Sequence, residues 1–161
     1  MARLNFKEAV DLLRQAGDNL SLAWALSELG HVLLMQGELD QAGIYLLEGL
    51  TTANGLGNHG ILVIALVGTA VLIARQSKDL PDALQQDNSK LALAARICGS
   101  TVPFIGAPGI FVWADTKTLY ETAIKQVKSS MSSGLWEQAY HEGQSMPIDQ
   151  SVALVTQALK D

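Results

Sequence analysis

Gly55, Gly57 and Gly60 stand at the spacing G-x-G-x-x-G. With that pattern a strand turns into a helix whose first amides meet a dinucleotide pyrophosphate. The chemistry needs a strand immediately before the first glycine, and the residues before Gly55 carry helical periodicity instead. The glycines therefore read as a loop between helices. The phosphate-cradling pattern G-x-x-x-x-G-K-[ST] is absent, so no ATPase site is expected in this chain. His31, His59 and His141 form neither an H-E-x-x-H motif nor an i, i+4 metal pair. His141 and Glu142 are adjacent, and on a helix neighbouring side chains diverge. The single cysteine, Cys98, stands among Ala95, Ile97 and Val102 with no histidine nearby in sequence to activate it. It reads as a buried, inert thiol. Carboxylates are scattered, and no pair supports general acid–base chemistry. The expectation is a non-enzyme with no catalytic residues, no metal and no cofactor.

The bulk properties narrow the partners. The chain has 161 residues, 48% hydrophobic and 17% charged, with a formal net charge of -5 and mean hydropathy +0.20. A chain of this length makes one domain and buries roughly two-thirds of its unfolded surface. Its acidic balance lacks the basic footprint of a phosphate-backbone binder, so no direct nucleic-acid contact is expected. One cysteine makes no disulfide framework and fits a reducing cytoplasm. The N-terminal MARLNFKEAVDLL has neither the apolar core nor the cleavage site of a signal peptide.

The elements that would position any site are helices. Asn5 is a candidate N-cap with Glu8 completing a capping box, and Phe6, Ala9, Val10, Leu12, Leu13 and Ala16 follow helical periodicity up to Gly17. Asp18 or Asn19 caps a second helix through Trp24, Leu26, Leu29, Val32 and Leu33, with Gly37 as its left-handed terminator. A third carries Leu39, Ala42, Leu46, Leu47 and Leu50 and fades over Asn54 to Gly60. The run Ile61–Ala74 is apolar on every face. Its fourteen residues span about 21 Å, short of the roughly 30 Å of a bilayer core. It reads as a buried helix between neighbours or at a dimer seam. Ser77–Asn88 is polar and reads as a connection. Lys90–Cys98 resumes a helix that pairs back on the apolar one. Gly99–Trp113 is a loop too apolar to be idle, and its Phe104, Phe111 and Trp113 are expected to dock on a helix surface or a partner. Three more helices follow: one capped by Asp115, one around Leu135–Tyr140 closed near Gly143, and one after Pro147.

An internal repeat joins the first and third helices. Phe6, Ala9, Leu13 and Ala16 overlay Leu39, Ala42, Leu46 and Gly49 at an offset of 33. With Leu29-Gly30, Leu33, Gly37, Leu39 and Ala42, the stretch Trp24–Leu50 resembles a tetratricopeptide repeat. Val67-Gly68 looks like the degenerate Leu-Gly of the next one, and Phe6–Gly17 like the second helix of a repeat whose first is absent. In that family the first helix of each repeat lines a concave groove. The resemblance puts Trp24, Ser27, His31, Leu34 and Met35 on the groove side, a set suited to a peptide or an apolar ligand. Should the C-terminal helices or the Phe104–Trp113 loop fill the groove, the same residues become core.

The C-terminal half carries a narrower resemblance. AARICGS, a proline-containing loop, Tyr120 in a helix and then Leu135 to Met146 resemble the helical tail of bacterial LuxR-type and related signal-transduction ATPase regulators. Ala139, Gly143, Met146, Asp149 and Val152 match that tail's pattern; Pro147 stands where a capping hydroxyl is usual and Ser151 where alanine is. Together these imply an all-α, tetratricopeptide-like antiparallel stack of about seven or eight helices. Residues 1–76 would be repeat-like, 77–88 a polar linker or insertion, and 89–161 a C-terminal helical cap. The resemblance implies a non-enzymatic interaction or effector-sensing segment of a cytoplasmic regulator that binds a protein, a peptide or a small effector and touches no membrane. The alternative is a stand-alone adaptor, homodimeric through Ile61–Ala74.

Overall fold

The computed structural model of the chain describes residues 2–78, 88–107 and 114–160, and among these there are eight α-helices and no strand. The chain is an all-α stack. Its first helix, α1 (Ala2–Ala16), begins ahead of the expected cap, so Asn5 and Glu8 lie inside it and form no capping box. Gly17 turns the chain at φ +71°. The Asp18 carboxylate then accepts the Ser21 amide at 3.1 Å and opens α2 (Asn19–Gln36). Gly37 ends α2 in the left-handed conformation, φ +79°, where a side chain would be strained. Helix α3 (Leu39–Gly55) follows after one further residue.

Small residues set how closely these helices approach. A Cβ on Gly30 would lie 2.5 Å from Leu46 Cγ, and one on Gly49 2.7 Å from Ser27 Oγ and 3.2 Å from the Ala23 carbonyl. The pairing 30 to 46 and 23 to 49 makes α2 and α3 antiparallel. Leu46 also fills the space over Gly68 of α4 (His59–Lys78), where a Cβ would come within 2.6 Å of it. One leucine is thus wedged between two glycine notches, one on α2 and one on α4.

Helix α4 is the spine. Every residue from Ile61 to Ala74 is buried, covered by α2, α3 and the later helices. Among the described residues it is the one helix long and apolar enough to cross a membrane, and 83% of that stretch is buried inside the protein. The dimer seam expected along Ile61–Ala74 is corrected by this burial: the chain's own helices occupy that face. Helix α4 also runs to Lys78, so Ser77 and Lys78 are helical and not part of a linker. The rest of the expected connection, 79–87, lies outside the described residues.

The C-terminal half leaves the simple hairpin pattern. Helix α5 (Ser89–Thr101) packs on α4 and continues through Gly99, which the sequence placed in the loop. Helix α6 (Ala114–Lys128) begins one residue before Asp115, the expected cap, and lies on α4. Helix α7 (Ser133–Gln144) is capped by the Ser132 hydroxyl and crosses α5 at a glycine pair. A Cβ on Gly99 would meet the Tyr140 carbonyl and one on Gly143 the Arg96 carbonyl, each at 2.1 Å. Helix α7 closes at Gln144, next to Gly143 as expected, and Gly143 is in addition a crossing point. Helix α8 (Ile148–Ala158) packs against α3, α4 and α5, burying Ile148, Val152 and Val155. Its buried Ser151 hydroxyl donates to Ser100 Oγ at 2.7 Å, and Ser100 donates to the Ile97 carbonyl at 2.9 Å. That chain of bonds satisfies both hydroxyls, as burial requires.

Candidate functional site: the outer stripe of α2

Positions 24, 28 and 35 of α2 fall within a narrow arc at 100° per residue, so Trp24, Glu28 and Met35 form one stripe, with Val32 on its flank. Helix α3 covers an adjacent side through Ala23, Ser27 and Gly30, and α4 packs over His31, which lies within the same arc as the stripe. The stripe itself is left partly open: Trp24, Glu28 and Val32 are half-buried, and Met35 is 75% exposed. The Trp24 indole is braced by Phe6 of α1, ring centroids 6.1 Å apart in an edge-to-face arrangement.

The five residues expected on the groove divide. Trp24 and Met35 stand at the surface. Ser27 is fully buried, donates to the Ala23 carbonyl at 2.9 Å, and faces Gly49. His31 is buried under α4, its Nε2 3.0 Å from the Ile64 carbonyl. A carbonyl only accepts, so Nε2 carries the proton and the ring is the neutral donor. Gly68 makes the room, since a Cβ there would lie 2.9 Å from the imidazole. Burial holds His31 below its ordinary pKa of 6.5, with the Ile64 bond opposing it. Leu34 is also buried. The family register placed these three on the groove; the packing of α3 and α4 turns them inward. Glu28 went unnoticed and Val32 read only as part of the helix's apolar periodicity, although their spacing from Trp24 carried the signal.

At the far end of the stripe Arg75, half-buried near the end of α4, donates to the Leu34 carbonyl of α2 and to Gln126 Oε1 of α6 at 3.2 Å. The C-terminal ends of α2, α4 and α6 meet there, and the negative ends of three helix dipoles favour a cation. A cavity of about 200 Å³ lies beside it, lined by Val71, Ala74, Arg75, Gln126, Ser129 and Ser130. Both serine hydroxyls are turned back onto the Gln126 carbonyl. Helix α6 thus packs on α4. Arg75 had no signal beyond being the basic residue at the polar end of an apolar helix.

The residues weighed for chemistry sit elsewhere. Cys98 is fully buried and burial pushes its thiol up to about 12, so it stays protonated at neutral pH. Its carbonyl accepts from Tyr120 and Thr101, and burial raises the Tyr120 phenol as well. Gly55 ends α3, Gly57 turns at φ +64°, and α4 begins at His59, so the G-x-G-x-x-G run is an inter-helix turn. His59 is exposed with its ring 5.1 Å from that of the half-buried Phe104. Phe104 docks against the start of α4, whereas Phe111 and Trp113 lie outside the described residues. His141 is exposed, its Nδ1 2.9 Å from Gln144 Oε1. Among the described residues no three His, Cys, Asp or Glu side chains come together as metal ligands would. Comparison with known proteins finds no family that matches this chain, and no curated protein or solved structure similar to it.

Proposed function

We propose that this chain is a non-enzymatic, effector-sensing or protein-interacting helical segment of a cytoplasmic bacterial transcriptional regulator, and that it receives its partner on the outer stripe of α2. The observation that carries the reading is the partly exposed row Trp24, Glu28 and Met35 on a helix packed on its other sides against α1, α3 and α4. A braced indole and a flexible thioether suit an apolar or peptide ligand: the first is rigid, the second adapts. The tetratricopeptide-like spacing and the regulator-like tail supply the rest of the argument. In a helical stack each element contacts mainly its neighbours, so occupancy of the stripe would be relayed through α4 and α6 to the rest of the polypeptide.

The test is the response of the native regulator in its own cells, read by a transcriptional reporter. Met35→Glu places a charge on the stripe, while Ile44→Glu does the same at a site on α3 that is 64% exposed. Met35→Glu is expected to shift the half-maximal response by roughly 30-fold, the cost of about 2 kcal/mol at a contact centre, with Ile44→Glu unchanged. Equal responses of both variants and the wild type would sink the proposal.

A further inference from the structure

The offset of 33 between α1 and α3 sets up a comparison of burial at matched positions. On α3, Ala42, Leu46 and Gly49 are buried, Leu46 and Gly49 directly against α2. Their counterparts on α1 are Ala9, Leu13 and Ala16: the first two are half-buried and the third is exposed. Leu12, beside them, is 59% exposed and matches the half-buried Tyr45. The other side of α1 behaves as its counterpart does. Val10 is buried in the core, as its match Gly43 lies against Leu72 of α4. Among the described residues, helix α1 therefore packs on its following neighbour, α2, and has no helix over this other face.

We propose that the face of α1 formed by Ala9, Leu12, Leu13 and Ala16 seats one more helix of the α2 type, antiparallel to α1 and contributed by the same polypeptide immediately before it. The occupant's chemistry follows from the interface it would continue. It presents small residues at the spacing of Ala23, Ser27 and Gly30, opening a notch that Leu13 fills as Leu46 fills the one over Gly30. The source rests on the reading of this chain as part of a longer regulator; the face itself rests only on burial at matched positions.

Two measurements test it. Residues 19–38 join Leu39 directly, so a second copy of them is joined to Phe6, the match of Leu39, and hydrogen exchange is read over residues 6–16. Exchange is expected to slow about tenfold, with no gain when Ala23→Leu, Ser27→Leu and Gly30→Leu are made in the added copy alone. Unchanged exchange with the unaltered copy overturns the proposal. So does dimerisation of the 161-residue chain itself that Leu12→Glu abolishes, since the occupant would then be a second copy. For the source, mass spectrometry of the protein from its native cells is expected to find peptides preceding Met1, and a mature N-terminus at Met1 overturns that assignment. The exchange is read on α1 and not on the α2 stripe, so failure here is separable from failure of the sensor reading.

Discussion

A methyl group on Gly143 has nowhere to go. The Arg96 carbonyl occupies its place at 2.1 Å, and backbone on both sides of the crossing has no soft side chain to yield. Gly143→Ala should therefore destabilise the chain by about 3 kcal/mol, while Gly134→Ala on the same helix, with open space around it, should be neutral or slightly stabilising. Urea unfolding of the two variants decides it, and equal midpoints would remove the close crossing. His31 gives a second prediction at this scale. Its folded pKa lies below 6.5, so the unfolded chain takes up the proton first. The group is silent above about 6.5 and costs stability as pH falls from there through its folded pKa. Unfolding free energy measured from pH 7.5 to 5 should fall in the wild type and fall less in His31→Gln. Both residues were visible in the sequence with their roles hidden. Gly143 read only as the close of its helix because local sequence does not reveal the Arg96 backbone, 47 residues away, that crosses there. His31 read as a groove residue because the notch that admits it is Gly68, on the next helix.

At the scale of elements, periodicity located the helices well. Gly17 and Gly37 ended them by conformation, and the apolar run became the buried spine. Boundaries went astray where tertiary contacts extend a helix beyond its local signals. Ser77 is polar yet buried, its hydroxyl donating to the Ile73 carbonyl, so α4 absorbs a residue that composition assigned to a linker. The placement of α6 was not legible either, because it depends on Arg75 drawing three helix ends together. Arg75→Met keeps the apolar stem and removes the donors. It should cost about 1–3 kcal/mol, in keeping with charged hydrogen bonds, and speed amide exchange in α6 while leaving α1 and α2 unchanged. Uniform exchange across all three helices would mean that Arg75 holds no particular element. The Leu34 carbonyl keeps the Gly37 amide at 3.1 Å in the variant, so α2 retains its terminator.

The whole molecule combines a regular half with an irregular one. From α2 to α4 the helices meet through glycine notches and the Leu46 wedge, and the offset of 33 located the match between α1 and α3. From α5 onward the order changes: α7 crosses α5 through glycines, α6 lies on α4, and α8 packs against α3, α4 and α5. The consequence is a stack covered along α4 and open along α2, which is why only Trp24 and Met35 of the expected groove remain at the surface. The central claim is that this open stripe receives the partner. The most direct measurement exchanges Trp24–Leu50 for an unrelated two-helix repeat in the full-length native protein and reads its transcriptional response. A response lost while the protein stays folded by circular dichroism is the predicted result; a folded protein that responds as before would contradict it.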